Sequence, residues 1–184
     1  CIGLLLGLAL FLQAGPVSAQ PTNGAATLTF DDLPVSTGGT HMPTNYCGFR
    51  WLNSDWHHLT LASTPTNNFL ALSGTSTATI SVGSGKFYFD GADFWSRRGV
   101  DANGLFYFIL YSNAVVVYDG RNDKDGKMRF TGTRQFFTPN YPGLVDGVAM
   151  VFTQGGDDWD HLAMDNLRFH GWQAAQAPSP ITLT

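Results

Sequence analysis

The feature that most constrains this chain is a succession of about a dozen short apolar or alternating segments, each separated from the next by turn residues. Their spacing of roughly 8–14 residues is typical of an antiparallel sandwich or barrel. No window of the sequence shows a sustained helical repeat of apolar residues. The pattern therefore predicts an all-β fold built from many short strands.

Composition supports a single globular domain that is not held by internal disulfides. Of the 184 residues, 43% are hydrophobic and 13% are charged, and that charged fraction is about half of what soluble domains usually carry. The two cysteines are Cys1 and Cys47, and Cys1 lies in a segment that we expect to be removed. We expect Cys47 to behave as a small, buried hydrophobic residue, with a bond between two chains as the alternative.

The first nineteen residues have the pattern of a secretory signal peptide. An apolar run at 2–12 precedes Val17-Ser18-Ala19, which fits the small-x-small rule for cleavage after Ala19. The run is too short for a membrane-spanning helix, which needs ~20 apolar residues. We therefore predict a secreted, extracellular protein with no membrane segment after cleavage. The predicted division is a signal peptide at 1–19, a flexible leader at 20–25, a β-sandwich at 26–172 and a disordered tail at 173–184.

The charge balance excludes one class of partner. The net charge is −4, from 10 basic and 14 acidic residues, and the basic residues are not concentrated in any one segment. Nucleic-acid binders need a basic surface that neutralises phosphates. We therefore expect no nucleic-acid partner.

Two acidic clusters stand near opposite ends of the predicted domain. Asp31 and Asp32 follow the first strand-like run, and Asp165 with Asn166 lies in the last one. If the first and last strands pair, these four residues come together and could supply oxygen ligands to a structural Ca²⁺ ion. The alternatives are that Asp31 and Asp32 cap a loop and that Asp165 and Asn166 make ordinary hydrogen bonds.

Several aromatic residues are candidates for sugar contacts because they stand beside polar residues in loop-like sequence. Sugars stack their C–H faces on aromatic rings, and their hydroxyls bond to Asp, Asn and Arg. Large aromatics more often anchor a core. We favour a core position for Trp51 and Trp95, and a core position is the alternative to a sugar contact for Trp56 and Trp159. The predicted ligand-binding residues are Trp56, Trp159, Asp55, His58 and Asp158.

No catalytic motif stands out, and we predict that the chain is not an enzyme. The sequence lacks a nucleophile elbow, a His-Glu-x-x-His zinc motif and a phosphate loop. Its fourteen acidic residues are all Asp, whereas the acid of a glycosidase is most often Glu. His57 and His58 are adjacent, so on a strand they point to opposite faces. A polysaccharide-active enzyme is the least favoured alternative.

Four segments in this order resemble secreted β-sandwich proteins that are mostly uncharacterised. Such proteins occur among bacterial exported proteins with a PEP-CTERM sorting tail and among small fungal secreted proteins. The resemblance covers about residues 26–170. The segments are Thr27-Leu28-Thr29-Phe30-Asp31-Asp32-Leu33, Tyr46-Cys47-Gly48-Phe49-Arg50-Trp51, Phe89-Asp90-Gly91-Ala92-Asp93-Phe94-Trp95 and His161-Leu162-Ala163-Met164-Asp165-Asn166-Leu167.

This resemblance implies an antiparallel jelly-roll sandwich, galactose-binding or lectin-like and similar to carbohydrate-binding modules, with calcium near the paired termini. Together with the residues above, it leads us to expect a non-catalytic protein that recognises extracellular glycans, on a cell wall or a matrix. The alternative is a self-associating matrix, coat or filament protein, or a secreted effector. Low charge and apolar, Thr/Gly-rich strands suit such association through sheet edges.

Overall fold

The chain forms two antiparallel β-sheets that pack face to face. The computed structural model describes residues 24–52, 55–72, 76–99, 105–129, 131–152 and 162–173. Within these ranges the only helical element is a 3-10 turn at Gly120–Asn122. The all-β prediction is confirmed, and the two packed sheets agree with the sandwich architecture.

The first sheet, called sheet A, contains eight of the described strands, which are numbered along the chain. Its hydrogen-bonded order is β12-β8-β15-β6-β5-β2, with β1 also pairing β15 and β13 also pairing β8. The bounds are β1 Ala26–Leu28, β2 Thr40–His41, β5 Trp56–Leu61, β6 Thr64–Leu72, β8 Lys86–Ser96, β12 Gln135–Phe137, β13 Leu144–Val145 and β15 Leu162–Gln173.

The second sheet, called sheet B, contains the other seven described strands. Its order is β10-β9-β14-β7-β4-β3, and β11 also pairs β9. The bounds are β3 Asn45–Tyr46, β4 Phe49–Trp51, β7 Thr77–Val82, β9 Phe106–Ser112, β10 Val115–Asp119, β11 Lys127–Met128 and β14 Gly147–Phe152.

The core lies between the sheets because the strands alternate apolar and polar side chains. In β7, Ala78 and Ile80 are buried while Thr79 and Ser81 face outwards. Aromatic side chains, each of which buries roughly 150–250 Å², dominate this core. The prediction that Trp51 lies in the core is confirmed. The largest fully buried side chains are Trp51, Trp56, Phe30, Phe49, Phe87, Phe94, Phe106, Phe108 and Phe169.

The two terminal strands pair with each other, as the sequence predicts. Leu28 of β1 lies opposite Leu167 of β15 in antiparallel register. β6 pairs β15 at Ala163 and Met164, so β6 and β1 bond to successive stretches of β15. The chain turns away from β1 at Phe30, whose φ is 61°. This pairing brings the two acidic segments into one region of the molecule.

The β9–β10 hairpin ends in a tight turn and leaves an exposed edge. Asn113 and Ala114 have φ values of 54° and 61°, as both central residues of a type I′ turn must. The sequence predicts a two-residue link one position earlier, at Ser112-Asn113. β10 forms the edge of sheet B, where Val115 and Val116 are 62% and 50% exposed. No helix in the described ranges is long and apolar enough to cross a membrane.

Candidate functional site

The sugar platform predicted from the sequence is not formed by the described residues. Trp56 is 0% exposed and belongs to the core, where its Nε1 donates to the carbonyl of Thr79 at 3.2 Å. It has no free ring face, so the prediction of a stacking role for Trp56 is wrong. The physical reason is strand alternation, because β5 turns Trp56 and His58 to the inside of the sandwich.

The polar neighbours of Trp56 are also buried or hydrogen-bonded within the fold. His58 is 3% exposed, and burial lowers its pKa, so the prediction that it contacts a ligand is wrong as well. The Asp55 carboxylate accepts from the backbone N–H of Thr79 at 3.1 Å and thereby ties the start of β5 to sheet B. Asp158 and Trp159 lie outside the described residues.

His57 and His58 point to opposite faces, as the sequence predicts. His57 lies on the outer face of sheet A, where a Cβ added to Gly39 would come within 2.7 Å of its ring. Burial, with smaller effects from Arg97 and His41, lowers the pKa of His57 to about 4. Its imidazole is therefore neutral at neutral pH.

Asp31 and Asp32, two of the predicted calcium ligands, accept hydrogen bonds from nearby protein donors. Asp31 Oδ1 accepts from the backbone N–H of Asn68 at 2.9 Å, and Asp32 Oδ1 accepts from the Tyr46 hydroxyl. The Asn68 amide in turn donates to the carbonyls of Phe30 and Leu33 at 3.1 and 2.8 Å. The two carboxylates thus hold the loop that follows β1, as the alternative interpretation proposes.

The other predicted calcium ligands, Asp165 and Asn166, belong to a buried polar cluster on β15. Asp165 accepts from Arg134 Nη1 at 3.0 Å and from the Asn166 N–H at 2.7 Å. The Asn166 side-chain amide donates to Asp93 Oδ2 at 2.7 Å. Burial raises the pKa of Asp165 to about 6, against the opposing effect of these donors.

Pairing of the terminal strands therefore brings the predicted acidic residues close enough to interact. Asp31 is among the charges that act on Asp165. Among the described residues, however, no group of three or more His, Cys, Asp or Glu side chains could hold a metal ion. The calcium site stays a prediction.

A cleft of about 970 Å³ opens along sheet B, at the ends of its central strands. Its floor includes a row of directly opposed residues, Ser81 of β7, Gly147 of β14 and Tyr111 of β9. A Cβ added to Gly147 would lie 3.6 Å from Tyr111 Cβ and 3.8 Å from its Cδ2. Because Gly147 has no side chain, the space beside the Tyr111 ring stays open.

Polar groups from the surrounding turns line the same cleft. The Asp146 carboxylate accepts from the Asn113 N–H at 2.5 Å, and Lys86 Nζ donates to Ser112 Oγ at 2.7 Å. A half-buried aromatic ring beside small residues, rimmed by a carboxylate and an ammonium, can bind a ligand that has both apolar and hydroxyl faces. The cleft was not predicted, because its row of residues depends on the register of three strands that are distant in sequence.

The outer face of sheet A carries a second, smaller hydrophobic cluster. Phe69 and Trp95 pack with their ring centroids 5.4 Å apart, beside Ala71 and Ala163. Trp95, which the sequence places in the core, is buried in this cluster rather than between the sheets.

No model of a known protein family matches the chain, and none of the curated proteins matches it. The resemblance to secreted sandwich proteins stays a prediction.

Proposed function

We propose that this chain is a non-catalytic carbohydrate-binding domain of a secreted protein, and that the sheet B cleft is its sugar site. The observation that carries the proposal is the open space beside Tyr111 that Gly147 leaves. The signal-like first nineteen residues support export of the protein. Consecutive strands β6, β7, β8 and β9 alternate between the sheets, which supports a jelly-roll-like sandwich.

The chemistry of the cleft suits a pyranose. The C–H face of a sugar ring can stack on the Tyr111 ring, while Asp146 and Lys86 offer an acceptor and a donor to its hydroxyls. A volume of about 970 Å³ is at the upper end of ordinary ligand pockets, so there is room for more than one sugar unit.

The same cleft offers little for catalysis. Among its described lining residues Asp146 is the only carboxylate, and it already accepts a hydrogen bond from the Asn113 N–H. Most glycoside hydrolases use a pair of carboxylates, one on each side of the scissile bond. This supports binding without turnover.

A glycan array read with the full chain, followed by titration of the best polysaccharide, tests the proposal. We expect binding that Tyr111→Ala weakens by about tenfold or more, because the stacking surface is lost. Tyr88→Ala is the matched control, since Tyr88 stacks on His170 in sheet A at 4.6 Å and does not line the cleft. Absence of binding to every glycan, or equal affinity of the Tyr111→Ala variant and the wild type, would overturn it.

The exposed edge of β10 favours a second candidate function, self-association. Val115 and Val116 are uncharged, β-branched and 62% and 50% exposed. They lie on β10, which pairs β9 on one side and is an edge of sheet B among the described strands, and such an edge is a template for pairing with another strand. Sedimentation velocity at increasing concentration tests this. We expect a concentration-dependent dimer that Val116→Lys abolishes, and a monomer at every concentration would contradict it.

A further inference from the structure

The outer face of sheet A carries two arginines that lie over aromatic rings, and none of these four side chains lines the Tyr111 cleft. Arg134 Cζ is 4.2 Å from the centroid of the Trp95 ring, and Arg168 Cζ is 4.3 Å from that of Phe136. Both distances are within the range of cation–π attraction. Each guanidinium is therefore held at a defined place on the surface.

Each of these guanidinium groups is also paired with a carboxylate beneath it. Arg134 Nη1 lies 3.0 Å from Asp165 Oδ2, and Arg168 Nη2 lies 3.4 Å from Asp93 Oδ1. The two carboxylates are themselves neighbours, because Asp165 of β15 is directly opposite Asp93 of β8. The four side chains thus form one cluster, which we call the Arg–Asp quartet.

The quartet has its charges in two layers. The side chains of Asp165 and Asp93 are 1% and 12% exposed, whereas those of Arg134 and Arg168 are 36% and 43% exposed. The four side chains carry no net charge, and Asp31 is a further carboxylate close enough to act on Asp165, but the arginines are the part of the quartet that solvent meets. The arginines therefore lie between most of the negative layer and the solvent.

The arginines keep hydrogen-bonding capacity for a ligand. A guanidinium has five N–H donors, and in the described ion pairs each arginine uses a single nitrogen. Asn166 also stabilises the Asp93 carboxylate, because its side-chain amide donates a hydrogen bond to the other oxygen. Because ion pair and ring contact already fix both guanidiniums, an oxyanion would bind without the usual cost of ordering two long side chains.

We propose that Arg134 and Arg168 of the quartet form a binding site for oxyanion groups of an acidic polysaccharide, its sulfates or uronate carboxylates. Two fixed guanidiniums on a chain with net charge −4 suit a ligand with spaced single anionic groups. They do not supply the many simultaneous phosphate contacts that nucleic-acid binding needs. The site is independent of the Tyr111 cleft, so the failure of either proposal leaves the other standing.

Calorimetric titration of the full chain at low salt tests this site with heparin, polygalacturonate and inorganic sulfate as probes. We expect one of the two polysaccharides to bind, and Arg168→Gln to weaken that binding by about tenfold, the size of a lost charge-assisted hydrogen bond. Added salt should weaken it further.

Arg121→Gln is the matched control. Arg121 pairs with Asp119, and its Cζ lies 5.6 Å from the centroid of the Tyr107 ring, but it stands in the 3-10 turn that follows β10 of sheet B. We expect this variant to bind the polysaccharide like the wild type. If Arg168→Gln fails to fold, the paired variant Arg168→Gln with Asp93→Asn keeps the cluster neutral and takes its place.

Four results would overturn the proposal, one of which requires single-stranded DNA as an additional probe. The first three concern the polysaccharides, the variants and DNA: they are no binding of either polysaccharide, an equal loss of affinity in the Arg168 and Arg121 variants, and binding of single-stranded DNA as tight as that of heparin. The fourth result is that inorganic sulfate alone binds as tightly as the polysaccharides. It would show that the site binds a free anion rather than an acidic polysaccharide.

Discussion

Asp165 of β15 lies directly opposite Asp93 of β8, and both carboxylates face the outer side of sheet A. Like charges in this position destabilise a sheet unless each is compensated. Arg134 pairs with Asp165, while Arg168 and Asn166 both contact Asp93. The compensation is incomplete for Asp165, because burial outweighs its donors and raises its pKa to about 6.

Asp165 should therefore make the protein more stable in mild acid than at neutral pH. Its pKa is about 6 in the folded chain and about 3.9 when unfolded, so the folded state binds the proton more tightly. The contribution of Asp165 protonation to the free energy of unfolding is fully present below about pH 4. It is lost as the pH rises through 6, and the loss is up to ~3 kcal/mol. Urea unfolding of Asp165→Asn at pH 4.5 and 7.5 measures it.

We expect the asparagine variant to gain in stability relative to the wild type at the higher of these two pH values. Asp125→Asn is a suitable control, because the Asp125 side chain is 73% exposed. The prediction fails if the stability difference between the Asp165 variant and the wild type is the same at both pH values.

His57 should have the opposite effect on stability. Its pKa is lowered to about 4 in the folded state, first by burial and then by Arg97 and His41, whereas an unfolded histidine titrates near 6.5. The unfolded chain thus binds the proton more tightly, and stability is lost as the pH falls from about 6.5 through 4. We expect His57→Gln to reduce the loss of folding stability between about pH 6.5 and pH 4, because glutamine binds no proton in this range.

A proton NMR titration of the imidazole checks the same point directly. The His57 ring signals should stay constant down to about pH 5 and move only below it. Movement centred near pH 6.5 would show that the ring is solvated in the folded state and would contradict the assignment.

The sequence predicts which residues can be neighbours better than which face of the sandwich they occupy. The pairing of β1 with β15, a consequence of closing a two-layer fold, was predictable, and it brings Asp31 near Asp165. Alternation in β5 shows that Trp56 and His58 share a face. It does not show that this face is the inner one, because His57 and Leu59 on the other face are no more polar.

The Tyr111 cleft illustrates a different limit. Tyr111 and Gly147 are 36 positions apart, and Ser81 is a further 30 before Tyr111. Only the register of three antiparallel strands sets them side by side, and register depends on the whole pattern of buried residues. The same holds for the pairing of Arg134 with Asp165.

Gly91 is a position where substitution should destabilise the fold strongly. Its φ is +108°, and a Cβ there would lie 2.2 Å from the carbonyl oxygen of Phe137 in β12. Alanine must therefore adopt an unfavourable backbone conformation and push β12 away. We expect Gly91→Ala to lower the free energy of unfolding by about 3 kcal/mol or more.

Gly38→Ala serves as the matched control for that substitution, since nothing lies within 4 Å of a Cβ at Gly38. Its effect should stay within about 0.5 kcal/mol. Comparable urea midpoints for the two variants would contradict the close approach of Phe137 to β8.

Calcium should not change the melting temperature of this protein if the carboxylates are satisfied as described. Asp31, Asp32 and Asp165 each accept from a protein donor, and a calcium ion would compete with the Arg134 guanidinium for the Asp165 carboxylate. Thermal unfolding in excess EDTA and in millimolar calcium chloride compares the two conditions. Because a ligand that binds only the folded state must raise the midpoint, an increase with calcium that Asp32→Asn abolishes would instead support the calcium site predicted from the sequence.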